Sequence, residues 1–286
     1  MPETSSAISA QSPIGIFDSG IGGLSVLRHI QQQLPNESLC YFADSGFAPY
    51  GDKTEAEIMQ RTLFAAQHLL QHGVKAIVVA CNTATAAAIA MLRSNYPDLI
   101  LVGVEPGLKP ATTLTKTGCV GVLATSRTLS STKYQLLCQQ IQQTTRVRFI
   151  NQACPGLVTH IEQGELDSPA TLALLKNYLQ PMLQAQVDTI VLGCTHYPFV
   201  EHSIQKIVAQ LRKQPVQLVD TGLAIAKQLQ RLLHQKQLTN SSPTPMPLQC
   251  FTSGARNKLE FALNELLHLE PEHYLIQQID CNLIPS

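Results

Sequence analysis

The sequence predicts an α/β protein made of two similar parallel-sheet domains that face each other in a pseudo-symmetric arrangement, with the active site in the cleft between them. Short apolar runs alternate with longer amphipathic segments, which is typical of strands and helices in a parallel α/β sheet. The alternation restarts near residue 99, and a strand–cysteine pattern occurs once in each half. A chain of 286 residues is long enough for two modest domains.

The first half of the chain has clear signals for the ends of its predicted helices. Pro35 ends a helix predicted over residues 22–34. Thr54 and Glu57 form a capping box that starts a second helix, and Gly73 is placed to end it. A third, Ala-rich helix follows the third strand. The apolar runs between these helices predict strands at residues 14–17, 39–43, 76–80 and 99–103.

The second half repeats this organisation. Ser168 is a good helix N-cap and Pro169 suits the first helical position, so a helix is predicted to about residue 184. A polar stretch at residues 236–247 predicts a surface loop before a final strand–helix–strand group. Further helices are predicted over residues 128–143 and from Pro198 and Thr221, and strands at residues 119–124, 147–150, 189–193 and 216–219.

Composition narrows the class of protein. Apolar residues make up 44% of the chain, and 20 basic residues balance 20 acidic ones, so neither nucleic acid nor a membrane surface is expected as the main ligand. No apolar run reaches the ~20 residues that a membrane-spanning helix needs. The Ser- and Ala-rich residues 1–12 lack the features of a signal peptide and predict a flexible tail. Eight cysteines without a C-x-x-C pair indicate a reducing, cytoplasmic environment.

Two cysteines occur in matching contexts. Cys81 follows the apolar run IVVA at residues 77–80, and Cys194 follows IVLG at residues 190–193. Ligands of open α/β sheets bind at the carboxyl ends of strands, and a helix that starts there stabilises a thiolate. A single cysteine of this kind is more often a core residue. A matched pair can act from opposite sides of one carbon, one thiolate removing a proton while the other thiol delivers one. The same pair in a redox protein would form a disulfide, although no resolving C-x-x-C partner is present.

Other polar segments have both structural and functional interpretations. Residues 18–23 (DSGIGG) form a tight loop suited to holding a carboxylate, but Ser25 stands where a dinucleotide fingerprint needs glycine. Asp18 could simply cap the next helix. His196 could be a packed histidine or could tune Cys194. The turn at residues 49–51 could expose a tyrosine hydroxyl and a glycine N–H to the cleft. Spacings typical of metal sites, nucleotide-binding loops and serine hydrolases do not occur in the sequence.

Together these segments closely resemble the glutamate racemase family, from about residue 14 to the final helix. The DSG-x-GG, ACNT and GCTH motifs in that order are the most specific part of the resemblance. The segments that carry it are FDSGIGGLS (17–25), AD (43–44), PYG (49–51), VACNTA (79–84), GVEPG (103–107), VLAT (122–125), LGCTHYP (192–198) and VDTG (219–222).

The resemblance implies a cofactor-independent and metal-independent isomerase whose product, D-glutamate, enters peptidoglycan precursors for the cell wall. Cys81 and Cys194 would be the two acid/base residues, assisted by Asp18 and His196 respectively. Glu162 matches a further acidic position near the cleft. Glutamate would be bound by Asp18, Ser19, Tyr50, Gly51, Asn82, Thr83, Thr125, Thr195 and His196.

The resemblance also implies that the second domain is inserted within the first. We therefore expect a first domain at residues 13–98 plus 210–286 and a second at residues 99–209. A homodimer is left open. Three alternatives remain at this point: a racemase for aspartate or a related acid, a binding or regulatory protein that kept the fold, and a thiol redox module.

Overall fold

Ten strands form two parallel sheets in the computed structural model, which describes residues 8–242 and 246–279. The first sheet has the order β10-β9-β2-β1-β3-β4 and the second has the order β6-β5-β7-β8. The strands are β1 (Ile14–Asp18), β2 (Leu39–Ala43), β3 (Ala76–Val79), β4 (Ile100–Gly103), β5 (Cys119–Ala124), β6 (Arg148–Ala153), β7 (Thr189–Leu192), β8 (Gln217–Val219), β9 (Leu248–Thr252) and β10 (Tyr274–Gln278).

Helices connect the strands, as parallel pairing requires. Three short 3₁₀ helices supplement them at Tyr50–Asp52, Tyr197–Val200 and Pro271–His273. The α-helices are α1 (Leu24–Gln33), α2 (Glu55–Gln71), α3 (Asn82–Asn95), α4 (Leu108–Leu114), α5 (Ser126–Ser130), α6 (Thr132–Thr144), α7 (Leu157–Glu162), α8 (Pro169–Gln184), α9 (Glu201–Leu211), α10 (Gly222–Gln235) and α11 (Arg256–Leu267).

The capping signals in the sequence act as predicted. The Thr54 hydroxyl accepts the Glu57 amide at 3.3 Å, and the Glu57 carboxylate accepts the Thr54 amide at 2.8 Å. Gly73 has a φ of +70°, a conformation that glycine adopts without strain. Ser168 caps α8, and Pro169 is its first residue. None of the helices within the described ranges is both long enough and apolar enough to cross a membrane.

The chain divides into two compact units. The first comprises Met1–Val104 and Gly222–Ser286, and the second comprises Glu105–Thr221. These limits differ from the expected domain boundaries at residues 99 and 209. The first unit extends past residue 99 and the second unit extends past residue 209, because strands beyond these residues still pair within the same sheet. β4 pairs with β3 in the first sheet, and β8 pairs with β7 in the second.

Two predicted helices have a different form in the structure. The helix expected over residues 128–143 is split into α5 and α6, because the Ser131 side chain accepts the Tyr134 amide and caps a new helix. The helix expected from Pro198 begins as a 3₁₀ turn and becomes α-helical only at Glu201. Of the predicted flexible tail, residues 1–7 lie outside the described part, while the Ala10 carbonyl accepts a hydrogen bond from Lys75.

The central strands of each sheet are buried on both faces and therefore lack polar alternation. Every residue of β1, β2 and β3 is buried, as is every residue of β7. α2 and α3 pack against the first sheet around Leu69 and Leu92, and α4 and α6 pack against the second around Leu108 and Ile141. Burial of both sheet faces fixes the strands, so their carboxyl ends become rigid supports for the loops that follow.

A buried ion pair lies at the opposite, amino-terminal end of the first sheet. Lys75, just before β3, donates to the Glu37 carboxylate, just before β2, at 2.5 Å, and both side chains are at most 1% exposed. The second Glu37 oxygen accepts the Asn240 amide at 2.9 Å. This pair therefore joins three connecting segments of the first unit.

We expect Glu37→Gln to destabilise the first unit by about 3 kcal/mol, because the Lys75 charge would remain buried without its partner. Differential scanning calorimetry measures the change as a lower unfolding temperature. The matched control is Glu105→Gln, which breaks a solvent-exposed ion pair with Lys133 and should change stability by less than about 1 kcal/mol. Equal unfolding temperatures for the two variants would contradict this assignment.

Candidate active site

Cys81 is held at the junction between β3 and α3. It is the N-cap of α3, and its sulfur accepts the Ala84 amide at 3.4 Å. The Cys81 thiol also lies 3.5 Å from the Ser19 hydroxyl. The helix N-terminus directs backbone N–H groups at a sulfur that is only 5% exposed, which favours its thiolate form. The predicted environment of Cys81 is therefore present.

The Asp18 side chain shapes the loop between β1 and α1. Its carboxylate is fully buried and accepts the Gly20 amide at 2.9 Å. The Tyr41 hydroxyl donates to the Gly20 carbonyl at 2.7 Å and so holds this loop in place. A Cβ at Gly23 would lie 2.6 Å from the Asp18 Cβ, so only glycine allows this close approach. The N-cap of α1 is Gly23, and the alternative that Asp18 caps this helix is wrong.

Tyr50 is 2% exposed, and the expectation that its hydroxyl is exposed is wrong. The hydroxyl donates to the Asp44 carboxylate at 2.6 Å. Arg61 also donates to Asp44, through Nε at 2.8 Å and through Nη2 to the other oxygen. The pKa of Tyr50 is raised well above its ordinary value, first by burial, then by the charge and hydrogen bond of Asp44 and by the charge of Cys81. The positive charge of Arg61 acts in the opposite direction and lowers this pKa. The Tyr50 hydroxyl therefore keeps its proton.

Cys194 has a different setting from Cys81. It follows Gly193, whose amide donates to the Leu123 carbonyl at 2.7 Å. The Cys194 carbonyl accepts the Tyr197 amide at 3.1 Å in a turn that leads into a 3₁₀ helix. The expectation that Cys194 lies at an α-helix N-terminus is therefore wrong, because α9 begins seven positions later at Glu201.

His196 supplies the polar environment of Cys194. Its Nδ1 lies 3.7 Å from the Cys194 sulfur, and its Nε2 lies 2.6 Å from the Glu162 carboxylate at the end of α7. Burial of the ring lowers the pKa of His196, but the hydrogen bonds to Cys194 and Glu162, with their negative charges, outweigh burial and raise it well above the ordinary value. A protonated His196 stabilises negative charge on the adjacent sulfur.

The remaining expected residues lie at the same sheet edges. In the first unit, Asn82 and Thr83 are buried in the first turn of α3, and Gly51 is half-buried in the 3₁₀ helix. In the second unit, Thr125 follows β5 and its hydroxyl accepts the Thr128 amide at 3.1 Å, while Thr195 is buried beside Cys194. Each unit thus gathers its own share of the expected site. No cluster of three His, Cys, Asp or Glu side chains within residues 8–242 and 246–279 is arranged to ligate a metal ion.

Sequence reasoning did not assign roles to Asp44, Arg61 or Tyr41. Asp44 was part of a recognised segment, and its position directly after a buried strand is the same signal that singled out Cys81. Arg61 could have been found as a charged residue on the apolar face of α2, between Ile58 and Ala65. Such a residue needs a buried partner.

The class of this protein is that of the Asp/Glu/hydantoin racemases. The model of that family, Asp/Glu/Hydantoin racemase, matches residues 14–229. A glutamate racemase of Ectopseudomonas mendocina is 50% identical over 258 residues, which cover 90% of this chain and 95% of the relative. The chain belongs to the glutamate racemase family.

Solved structures of glutamate racemases have the same fold. The enzyme of Francisella tularensis in complex with D-glutamate has a TM-score of 0.79 and 31% identity, covering 95% of this chain and 99% of that one. The Escherichia coli enzyme in complex with L-glutamate and the activator UDP-MurNAc-ala has a TM-score of 0.78 and 30% identity. This match covers 93% of this chain and 97% of that one.

We expect Glu162→Gln to lower the pKa of His196, because the variant removes the negative charge at Nε2. The wild-type ring should be protonated at pH 7, which NMR of ¹⁵N-labelled imidazole measures directly. Glu165→Gln is the matched control, since Glu165, beyond the end of α7, contacts His160 at the same 2.6 Å distance in a more exposed pair. A His196 titration unaffected by Glu162→Gln would contradict the assigned pairing.

Proposed function

We propose that this protein interconverts L- and D-glutamate by proton transfer at the α-carbon, with Cys81 and Cys194 as the two acid/base residues and without a cofactor. One thiolate removes the α-proton, and the other thiol delivers a proton to the opposite face, which inverts the centre. The mechanism therefore requires both sulfurs to reach one α-carbon.

The observation that carries the proposal is that two buried thiols end matching parallel strands, each with its own means of stabilising negative charge. Cys81 has the α3 N-terminus, whose Ala84 amide donates to its sulfur. Cys194 has His196, which Glu162 supports. A thiol that must alternate between acid and base needs both forms to be accessible, and these surroundings lower the cost of the charged form.

The α-proton of an amino acid is only weakly acidic, so the site must stabilise the charge that develops on the substrate carboxylate. We assign this role to hydroxyl and N–H groups at the strand ends. Asp18 shapes the loop that carries Ser19 and assists Cys81, as His196 assists Cys194. The substrate-binding set that we propose is Asp18, Ser19, Tyr50, Gly51, Asn82, Thr83, Thr125, Thr195 and His196.

Glutamate, rather than a shorter acid, is the proposed substrate because two family members of similar fold are bound to its D and L forms. We further propose that the product supplies peptidoglycan precursors. The cytoplasm is the proposed location, since the seven cysteines in the described ranges are all free thiols. The homodimer that the sequence left open can be tested by light scattering.

Incubation with L-glutamate in D₂O should give α-deuteration and complete loss of optical rotation without added metal or cofactor. Cys81→Ala and Cys194→Ala should each lower racemisation by at least about 10³-fold, since each removes one obligatory proton carrier. Cys138→Ala, which changes a buried thiol on α6, is the control and should retain activity. Near-normal racemisation by either of the first two variants would exclude the two-base assignment.

Parallel assays with L-aspartate address the nearest rival function. We expect kcat/KM for glutamate to exceed that for aspartate by about 10- to 200-fold, the range that one methylene group provides in a fitted site. Polarimetry measures both reactions. An equal or larger kcat/KM for aspartate would replace glutamate as the proposed substrate while leaving the cysteine assignment in place.

A further inference from the structure

A buried carboxylate–guanidinium pair lies directly behind the turn that carries Tyr50. Asp44 is fully buried at the carboxyl end of β2, and Arg61, which is 5% exposed, reaches it from α2. Arg61 donates to both Asp44 oxygens, and one of these oxygens also accepts the Tyr50 hydroxyl. The Arg61 guanidinium lies over the Phe47 ring, 3.6 Å from its centroid.

Asp44 is also connected, through its backbone, to the loop beside Cys81. The Asp44 amide donates to the Asp18 carbonyl at 3.0 Å, which extends the β1–β2 pairing by one residue. The Asp44 carbonyl accepts the Phe47 amide at 3.0 Å and starts the turn toward Tyr50. Asp44 therefore connects two segments that we assign to the substrate, the loop after β1 and the turn at residues 49–51.

Burying two full charges is costly, and such a pair adds little net stability over apolar side chains of similar volume. The position of the Asp44–Arg61 pair, at the carboxyl end of β2, indicates a role other than stability. A carboxylate that accepts three hydrogen bonds in fixed directions holds its donors in one geometry, and a guanidinium makes that arrangement rigid through two parallel contacts. Tyr50 is thereby held with its ring 6.3 Å from the Phe17 ring in β1.

We propose that Asp44 and Arg61 are positioning residues for the racemase reaction: they hold Tyr50 and the turn at residues 49–51 in the geometry that receives glutamate on the Cys81 side. Asp44 acts through Tyr50 and does not exchange protons with the substrate. Both of its oxygens are occupied by Arg61 and Tyr50, and its side chain is fully buried. The inference rests on the proposed glutamate racemisation.

The test is steady-state kinetics in both directions for Asp44→Asn, Tyr50→Phe and the double variant. Asp44→Asn should raise KM for both enantiomers about tenfold with kcat changed less than about threefold, because a charge-assisted contact that positions a binding group is lost. In the Tyr50→Phe background, Asp44→Asn should add little, since residues that act through one contact give non-additive effects.

Glu37→Gln is the matched control because it also removes the carboxylate of a buried ion pair in the same unit, at the opposite end of the sheet. It should lower the unfolding temperature while leaving KM unchanged. If Asp44→Asn does not fold, Arg61→Lys replaces it in the cycle, since it keeps the charge but loses the two-point contact. It should raise KM in the same way, and less so in the Tyr50→Phe background.

Three results would overturn the positioning role. They are a KM increase in Glu37→Gln equal to that in Asp44→Asn, a loss of kcat at constant KM in Asp44→Asn, and fully additive effects of Asp44→Asn and Tyr50→Phe.

Failure of the wild-type enzyme to racemise glutamate is a separate result that removes the proposed function itself. A substrate-free readout then decides the positioning role: alkylation of Cys81 by iodoacetamide should be faster in Asp44→Asn than in Glu37→Gln, and equal rates would exclude it.

Discussion

A buried sulfur that carries negative charge must be compensated by nearby dipoles or charges, and this requirement shapes both units of the protein. Burial raises the pKa of a thiol, as it does for Cys250 in the core, where the charge of Cys40 raises it further. Cys81 and Cys194 are as buried as core cysteines but end strands where backbone N–H groups and polar side chains converge. Parallel pairing is what makes this possible, because it brings the carboxyl ends of neighbouring strands to one edge of each sheet.

The two thiol environments are chemically different although the sequence around them repeats. Cys81 is stabilised mainly by the backbone, through the first turn of α3 and its Ala84 amide. Cys194 faces the His196 imidazole, whose pKa is raised by its hydrogen bonds to Cys194 and Glu162 and by their charges. A helix N-terminus provides a fixed field that pH does not alter, whereas an imidazole–carboxylate pair can gain or lose a proton. The charge that faces Cys194 can therefore change with pH, whereas the helix field at Cys81 cannot.

Much of the fold could be predicted from sequence because the strands are buried on both faces and read as uninterrupted apolar runs, as at residues 39–43 and 119–124. Local signals such as the Thr54 capping box were equally informative, since they depend on contacts within one turn. The contacts that were missed link distant segments. The split at Ser131 depends on one side chain that can cap a helix or remain within it. The points at which the chain passes from one unit to the other depend on the pairing of β4 with β3 and of β8 with β7. No local sequence pattern reveals these pairings.

Within the site, the same distinction separates what could be predicted from what could not. The apolar strands before Cys81 and Cys194 single out these two residues in the sequence. The Pro-Tyr-Gly turn instead predicts an exposed Tyr50 hydroxyl that lines the cleft, because a turn gives no indication of what packs against it. Arg61 lies 17 positions from Asp44, on the face of α2 that otherwise packs Ile58 and Ala65. A charged side chain at such a position costs free energy unless it is paired, so its presence implies a buried acid elsewhere in the chain. Glu37 and Lys75 satisfy the same rule at the other end of the sheet. Burial of a charge therefore identifies a structural partnership, and only its location at the carboxyl ends of the strands connects it with the site.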